Sequence, residues 1–544
     1  MTNQVKPIFL TGMMGAGKST VGKLLAKEVG LTFLDADEVI EVWAGKPISR
    51  IFEDEGEETF RRSEAKVLNY LADSGSAVIA LGGGAIENGS SRKRVLETGT
   101  LVWLDTSPKV AASRIKESDD RPLLEQEKSG AEMEERLGNL LEIRRKNYSK
   151  ADITIQTDNK TPGKIVQEII NAMKLKDSKL NDVSKVKNEA FNYSVFADNG
   201  ILGKVVGAID RERYSDTAII ITDSNVGQLY HEQVQNQLED DGFTVHTEFL
   251  PPGEQTKSLE LMHNLYIKMS RLGLDRKSPV FALGGGVIGD FAGFFAASYL
   301  RGVPLIHVPT SLLAQVDSSI GGKVGVNLPT GKNLVGAFYN PDVVLADINT
   351  LHSLPDREWN TGLGEVIKYG FIGEAAILEY LKKGRQTILD NITEVVRRSI
   401  AKKLNIVARD FKEGGIRRFL NFGHTLGHSL ENVTDYTILN HGEAIFWGMI
   451  AALYISKEKE LMPEADFEQA MQILERMDFV LPDFEASPEA LYEALHYDKK
   501  RVRDSIHWVL LESLGSPVIE TDVDKPLIMD AIQYTDSIVG KEAA

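Results

Sequence analysis

The 544-residue sequence predicts an α/β protein made of three successive units. These are a parallel-sheet domain over residues 1–173, of the P-loop NTPase type by its "GMMGAGKS" turn between strand and helix, a second α/β domain over 190–350, and a mostly helical domain over 351–544. Three observations predict this order. First, strand-like runs alternate with amphipathic helical patterns: "PIFLTG" leads to "KSTVGKLLAKEVG", "AVIALGGG" to a helical stretch, and "TLVWLD" to another. Such alternation implies a parallel sheet wrapped by helices. Second, the lysine-rich, aromatic-free stretch 174–189 reads as a linker, and a new alternation follows it in "YSVFADNG", "TAIIITDSN", "PVFALGGGV" and "VPLIHVPTSLL". Third, beyond Leu351 the strand signals fade and long helical patterns dominate.

Composition narrows the partners. The net charge is −17, and residues 1–175 hold only 27 of the 79 acids against 25 of the 62 bases, so the later part carries the excess. An acidic surface repels phosphate backbones, so no nucleic acid partner is expected. No run approaches the roughly 18 apolar residues of a membrane span, and the first residues lack a secretory leader pattern. With no cysteine in the chain, disulfides, thiol chemistry and cysteine-bound zinc are excluded, and a cytoplasmic enzyme is expected. All ten histidines lie beyond residue 230, so the first unit works without imidazole.

The first unit carries "GMMGAGKS", Gly12 to Ser19, between an apolar strand and a helix. This is the context a nucleotide P-loop needs. Gly15 and Gly17 let backbone N–H groups wrap phosphate oxygens, Lys18 reaches the outer phosphates, and Ser19, with Thr20 beside it, opens the helix and offers its hydroxyl to Mg²⁺. Asp35 and Asp37 at the end of the next strand share one face, which suits a metal shell and a substrate hydroxyl; a helix N-cap is the competing reading. Arg61, Gly83 in "ALGGGA", and Arg114 and Arg121 on a polar loop add forks and glycines for a small anionic acceptor.

Together, the P-loop, D-x-D, "FRR", "LGGGA" and "RPLL" resemble shikimate kinase over residues 5–172. The resemblance implies ATP with Mg²⁺ as cofactor and Asp37, Arg61, Gly83 and Arg144 as the shikimate site. Asp35 then serves the metal, Arg121 closes over the phosphates, and Arg114 lies along adenine. "RRKNY" departs from the usual R-x-P-L-Y, which makes Arg145 a competitor of Arg144. Phosphoryl transfer needs positioning and charge stabilisation, with Lys18, Asp37 and Arg121 as the catalytic candidates.

In the second unit, "ALGGGVIGD" is a strand, a glycine turn and a helix that can receive a pyrophosphate. "DSSIGGK" and "GKNLVGAF" place lysines among small residues, which suits a phosphate or a polyol. His424 and His428, spaced i and i+4, would share a helix face, and this spacing alone predicts both as metal ligands, with capping or core packing as the competing reading. Glu365 in "GLGEVIKYG" and His441 in "LNHGEA" widen the donor set.

Over 190–535 the blocks GGGVIGD, YLRG, DSSIGGK, GEVIKYG, LNFGHTLGH and HGEA resemble 3-dehydroquinate synthase. The resemblance implies NAD⁺ and Zn²⁺, with Co²⁺ as a substitute, and makes Glu365, His424 and His441 the metal ligands. His428 then handles protons and substrate phosphate, which replaces the reading from spacing. The implied NAD site comprises Asp223, Asn225, Glu254 and Lys257, then Gly285, Gly286, Val287 and Asp290, and finally Thr310, Ser311 and Lys332. Asp317, Lys323, Asn333, Lys368, Lys403, Arg417 and Asn421 meet the substrate, Lys323 and Lys368 among them as catalytic groups. Arg301 reaches the phosphate in a neighbouring subunit, which implies a homodimer, and Lys499 or Lys500 supplies a further cation. The rival readings are another small P-loop kinase fused to a different sugar-phosphate cyclase or to a metal-dependent polyol dehydrogenase.

Overall fold

The computed structural model describes residues 6–73, 75, 77–116, 130–173, 185–186, 193–434, 438–484, 486–497 and 506–539. In the first unit β1 (Ile8–Thr11), β2 (Thr32–Asp35), β3 (Ala77–Ala80), β4 (Thr100–Asp105) and β5 (Ile153–Gln156) form a sheet in the order β2-β3-β1-β4-β5. Every pairing is parallel, and Ile8 of the central strand pairs with Val78 on one side and Thr100 on the other. β1 and β3 are buried along their whole length, which is why they read as continuous apolar runs. The strand order reverses at β1, and its C-terminal end feeds the P-loop and helix α1 (Lys18–Val29). Ligands of such sheets bind outside the carboxyl ends of the strands at that reversal.

The second sheet contains β6 (Lys185–Val186), β7 (Ser194–Asp198), β8 (Thr217–Asp223), β9 (Thr244–Leu250), β10 (Val280–Gly284) and β11 (Leu305–Pro309). A separate antiparallel hairpin, β12 (Lys323–Leu328) with β13 (Gly331–Phe338), interrupts the chain before β14 (Val343–Asp347) completes the sheet. Its order is β6-β7-β14-β11-β10-β8-β9, parallel apart from the β6–β7 pair. The stretch read as a linker therefore contributes a short edge strand: Lys185 and Val186 have backbone groups that the open side of β7 can pair, whatever their side chains.

The third unit is helical as expected, except for the hairpin of β15 (Trp508–Ser513) and β16 (Ser516–Glu520). The helix His441–Glu458 is buried without a break from Gly442 to Leu453 and forms its axis. Among the described residues, no helix is long and apolar enough to cross a membrane.

The first two units pack against each other. Helix α2 (Ala36–Ala44) follows β2, and its Val39 and Ile40 share one buried apolar cluster with Tyr230 and Val234 of the helix Ser224–Asp240. β2 is an edge strand, and the side chain of Gln233 covers that edge: its Nε2 donates to Leu31 O at 2.7 Å and its Oε1 accepts from Phe33 N at 3.2 Å. Thr32 Oγ1 donates to Asp347 Oδ2 at 2.5 Å, and the same buried carboxylate accepts from the N–H groups of Gly200, Leu202 and Asn349. A Cβ on Gly203 would lie 2.8 Å from the backbone of Gly30 and Leu31, so the two units touch there main chain to main chain.

Candidate functional site

Two sites emerge, one in each half of the chain. In the first, Gly15 and Gly17 adopt left-handed φ of +78° and +86°, and Gly17 caps α1, so the turn exposes its N–H groups to an anion. Lys18 folds over the turn, its Nζ 3.0 Å from Gly12 O and 3.1 Å from Met13 O. Ser19 Oγ donates to Asp35 Oδ2 at 2.6 Å, while Asp35 Oδ1 accepts from Asp37 N at 3.1 Å. Asp35 is thus the N-cap of α2 and a neighbour of Ser19 at once. Asp37 does not end the strand as expected from the spacing; β2 stops at Asp35, because the cap begins the helix, and Asp37 lies in its first turn. Arg114 stands on the helix Pro108–Lys116 rather than on a loop, with Nη1 3.4 Å from Ala16 O. Thr20 is exposed in the first turn of α1. Arg121 lies outside the described residues.

The glycine turn after β3 is ringed by the expected acceptor groups. A Cβ on Gly82 would sit 2.9 Å from both Asp37 Oδ1 and Glu64 Oε1, one on Gly83 would sit 3.3 Å from Arg144 Nη1, and one on Gly84 would sit 2.7 Å from Arg61 Nη1. A cavity of about 220 Å³ opens between Arg61, Glu64, Gly84 and Arg144. Arg144 faces it and donates to Gly83 O at 3.0 Å, whereas Arg145 lies over the Trp103 ring at 5.7 Å. Glu64, which the sequence reading passed over, is buried and holds Arg61 Nη1 at 2.8 Å; its signal was the R-x-x-E spacing on helix Ile48–Ala72.

The second site is a cavity of about 1180 Å³ at the C-terminal ends of β8, β10 and β11. Asp223, Asn225, Glu254 and Lys257 line it, as do Gly285, Gly286, Val287, Asp290, Thr310 and Ser311. Asp223 caps the helix Ser224–Asp240 through one oxygen. Lys257 bridges Asp290 Oδ2 at 2.7 Å and Asn333 Oδ1 at 2.5 Å. Burial opposes its charge, but Asp290 and Glu254 raise its proton affinity above the ordinary lysine value. A Cβ on Gly285 would approach Ser311 Oγ to 3.3 Å, and one on Gly286 would approach Ser318 Oγ to 3.0 Å, so side chains there would fill the cradle.

Asp317, Lys332, Asn333, His428 and His441 line the other part of the same cavity. Beyond it lies a buried ionic cluster. Asp317 Oδ1 accepts from Lys403 Nζ at 2.8 Å and from Tyr369 OH at 2.7 Å, with Lys368 Nζ 3.8 Å away. Lys368 also pairs with Glu365. Burial drives Lys403 below its ordinary proton affinity. Lys323 pairs with Glu413, whose other oxygen accepts from Asn421 Nδ2 at 3.0 Å, and Arg417 Nη2 donates to Gly321 O at 3.2 Å.

Glu365, His424 and His441 converge. Glu365 Oε1 lies 3.3 Å from His424 Nε2 and 3.3 Å from His441 Nε2, and the donor atoms of the three all lie within 4.8 Å of one another. Close helix crossing produces this. A Cβ on Gly364 would lie 2.8 Å from Gly442 O, and one on Gly442 would lie 2.3 Å from Asn360 O, so the helices Asp356–Phe371 and His441–Glu458 touch only because both positions are glycine. A capping box of Asn440 and Glu443 sets the start of the second helix at His441. An oxygen and two imidazoles, mostly buried and without cysteine, form a donor set that fits a divalent zinc-like ion with an open position.

His428 does not join this triad. Its ring is 5.2 Å from that of His424, edge to face, and it opens into the cavity beside Glu431, Nε2 to Oε2 4.0 Å. The i and i+4 histidines share a face, but only the first points toward Glu365. Glu431, like Glu64, is a residue the sequence did not single out: it is buried, 3.5 Å from His441 Nδ1 and 3.8 Å from Lys332 Nζ. Although burial opposes the charged ring, Glu365 and Glu431 carry His441 up to about 10 in the absence of an ion. Arg301 is exposed and outside the cavity; it and Leu300 have left-handed φ of +66° and +49°. Lys499 and Lys500 lie outside the described residues.

Comparison with known proteins gives three matches along the chain. Residues 14–174 match the family model for shikimate kinase, 247–361 that for the 3-dehydroquinate synthase N-terminal part, and 362–501 that for its C-terminal part. The 3-dehydroquinate synthase of Symbiobacterium thermophilum is 44% identical over 351 residues, which are 63% of this chain and 96% of that one. That of Citrifermentans bemidjiense is 43% identical over 347 residues, 62% of this chain and 95% of its own. Among solved structures, 2-deoxy-scyllo-inosose synthase complexed with carbaglucose-6-phosphate, NAD⁺ and Co²⁺ matches with a TM-score of 0.58 at 29% identity, over 65% of this chain and 99% of that one. The 2-epi-5-epi-valiolone synthase of Streptomyces hygroscopicus subsp. jinggangensis 5008, with NAD⁺ and Zn²⁺ bound, matches with a TM-score of 0.57 at 26% identity, over 64% and 97%.

Proposed function

The chain belongs to the 3-dehydroquinate synthase family and carries a shikimate kinase domain ahead of it, and we propose that the two sites above carry out these two reactions with the following division of labour. In the kinase half the P-loop and Lys18 hold the phosphates of ATP, and Ser19 with Asp35 holds Mg²⁺, a pairing of hard oxygens that suits that ion. Asp37, Arg61 and Arg144 around the glycine turn hold shikimate, and Asp37 orients its 3-hydroxyl toward the γ-phosphoryl group. Arg114 lies along the adenine.

In the synthase half, 3-deoxy-arabino-heptulosonate 7-phosphate gives 3-dehydroquinate and inorganic phosphate. Glu365, His424 and His441 hold Zn²⁺, and Co²⁺ can replace it, while the Gly285–Gly286 cradle with Asp223, Lys257 and Asp290 holds NAD⁺. When bound, these groups supply a transient hydride acceptor and polarise the carbinol oxygen. The chain does the rest. The Asp317–Lys403–Lys368 cluster fixes the substrate hydroxyls, Lys323, Arg417 and Asn421 gather around the dianionic phosphate, and His428 moves a proton at the cavity wall. The strained backbone at Leu300 and Arg301 aims Arg301 outward, to the phosphate in a second copy, so the working form is a homodimer through the synthase part.

The observation that carries this reading is the convergence of Glu365, His424 and His441 beside a glycine-cradled cleft. The test is phosphate release from the heptulosonate phosphate with Zn²⁺ and NAD⁺. Stoichiometric phosphate without net NADH is expected. Net NADH would mark a polyol dehydrogenase, and no phosphate would end the synthase assignment. ADP formation that requires shikimate tests the kinase half separately.

A further inference from the structure

The kinase unit reaches into the synthase cleft. Of the described residues that line the cavity of about 1180 Å³, Val42 is the one contributed by the first unit; it stands on α2, five residues after Asp37. The same lining includes the apolar Val226 and Leu229 from the helix Ser224–Asp240, and Leu354 after β14. The neighbours of Val42 are tied to the synthase unit on both sides. Glu41 Oε2 accepts from Gln228 Nε2 at 3.1 Å, and Trp43 Nε1 donates to Ser353 O at 2.7 Å. Ser353 in turn shares a 2.6 Å hydrogen bond with Tyr230 OH, and both residues line the cavity. Val42 is therefore held in place by two hydrogen bonds that span the junction.

We propose that α2 of the kinase unit, through Val42, completes the adenine end of the dinucleotide site in the synthase unit. This rests on the NAD⁺ reading of the cleft given above. A dinucleotide laid across the carboxyl ends of β8, β10 and β11 must bring its reacting ring to the end that holds His428 and His441. Its pyrophosphate then meets the Gly285–Gly286 turn, and the far ribose meets Asp223, whose second oxygen is not used by the helix cap. The adenine that follows falls on the wall of Val42, Val226, Leu229 and Leu354. A flat heterocycle gains by covering such an apolar surface, whereas a synthase without the kinase unit would leave that side open to water.

The experiment measures NAD⁺ binding to the full-length chain by calorimetry, for wild type, Val42→Ala and Trp43→Phe. Val42→Ala should raise the Kd for NAD⁺ about fivefold, the scale expected for losing a few tens of Å² of apolar contact. Trp43→Phe, which removes the bond to Ser353 O and trims the ring that packs on Tyr70 and under Lys66, should raise it about twofold. Phosphate release should show the change in the KM for NAD⁺ and not in kcat. Shikimate-dependent ADP formation in the same preparations reports that α2 is folded, and Trp43→Phe keeps the test open if Val42→Ala is poorly folded. Wild-type binding that both variants leave within 1.2-fold, as a rough threshold, overturns this inference alone. A wild type that neither binds NAD⁺ nor releases phosphate overturns the synthase reading, and this inference with it.

Discussion

The kinase half and the synthase half hold phosphorylated ligands by different means. The kinase site is made largely of backbone: a left-handed glycine turn at the start of α1 and a second glycine turn ringed by Asp37, Arg61 and Arg144. The synthase site is made largely of side-chain charges that hold each other, Glu365 with Lys368 and Asp317 with Lys403 in the interior, and Glu413 with Lys323 nearer the surface. N–H groups carry only partial charge, so a cradle of them can be assembled without desolvating full charges. A chemistry that oxidises and eliminates needs full charges in its cavity, and each one that is buried must bring a partner. Loss of one side chain should therefore injure the synthase site more than the kinase site.

Glu365→Gln breaks the comparison open at its most sensitive point. The carboxylate lies between Lys368 and two imidazoles, and Lys368 holds Glu365 ionised well below the usual carboxylate range against the effect of burial. The amide would leave Lys368 buried without that charge and would lower the affinity of the donor set for a divalent ion. Phosphate release should fall about 10³-fold, since a Lewis acid contributes several kcal/mol and each 1.36 kcal/mol is tenfold. Metal content after dialysis reads the same loss directly. Stoichiometric zinc together with near-normal turnover would remove Glu365 from the ligand set.

Lys18→Met is the matching change in the kinase site. The N–H cradle around Gly15 and Gly17 stays, so the loss should be smaller, about 10²-fold in kcat for ADP formation. A loss larger than that of Glu365→Gln would reverse the argument, and would mean that the glycine turn does little without the lysine.

The same contrast explains how much of each site the sequence discloses. The P-loop is contiguous, so Gly12 to Ser19 can be read as it stands. The exception is Asp37: a period of two suggests a strand, yet the cap at Asp35 has already turned the chain into α2. The synthase triad unites positions 365, 424 and 441, and local spacing offers His428 in place of His441. Family resemblance supplied the set; the reason for it appears only where Gly364 and Gly442 let two helices touch. Glu64 and Glu431 stayed hidden because a carboxylate on a helix face looks solvated until a second helix covers it. The docking of the two halves was equally illegible. The bond from Thr32 to Asp347 joins residues 315 apart, and nothing local marks either end.

Glu431→Gln sharpens the difference within the synthase site. Glu431 faces His441 Nδ1 at 3.5 Å, opposite the nitrogen turned to Glu365, which is the place of a carboxylate that orients a metal-binding imidazole. The triad remains in this variant, so zinc affinity should fall by about 10- to 100-fold rather than be abolished. Competition with a coloured chelator gives the number. Affinity unchanged within about twofold would reduce Glu431 to a partner of Lys332.

The smallest effect is expected at the junction, where the kinase half itself buries a charge. Burial, Asp35 and then Glu232 and Glu41 push the Glu38 carboxyl up to about 8, and Lys23 only partly offsets them. A carboxyl raised above its ordinary value of 4.5 favours the folded state most when protonated, so its contribution is fully present below pH 4.5 and is lost as the pH rises through 8. Glu38→Gln keeps the shape and removes the charge. The variant should match wild type near pH 4.5 and be more stable by about 1–2 kcal/mol at pH 8, a value discounted for the partial exposure of the site. Urea midpoints at the two pH values measure it. A gain of the same size at both would mean that the amide improves packing or hydrogen bonding, and that the Glu38 charge costs the junction nothing, unlike the buried charges of the synthase.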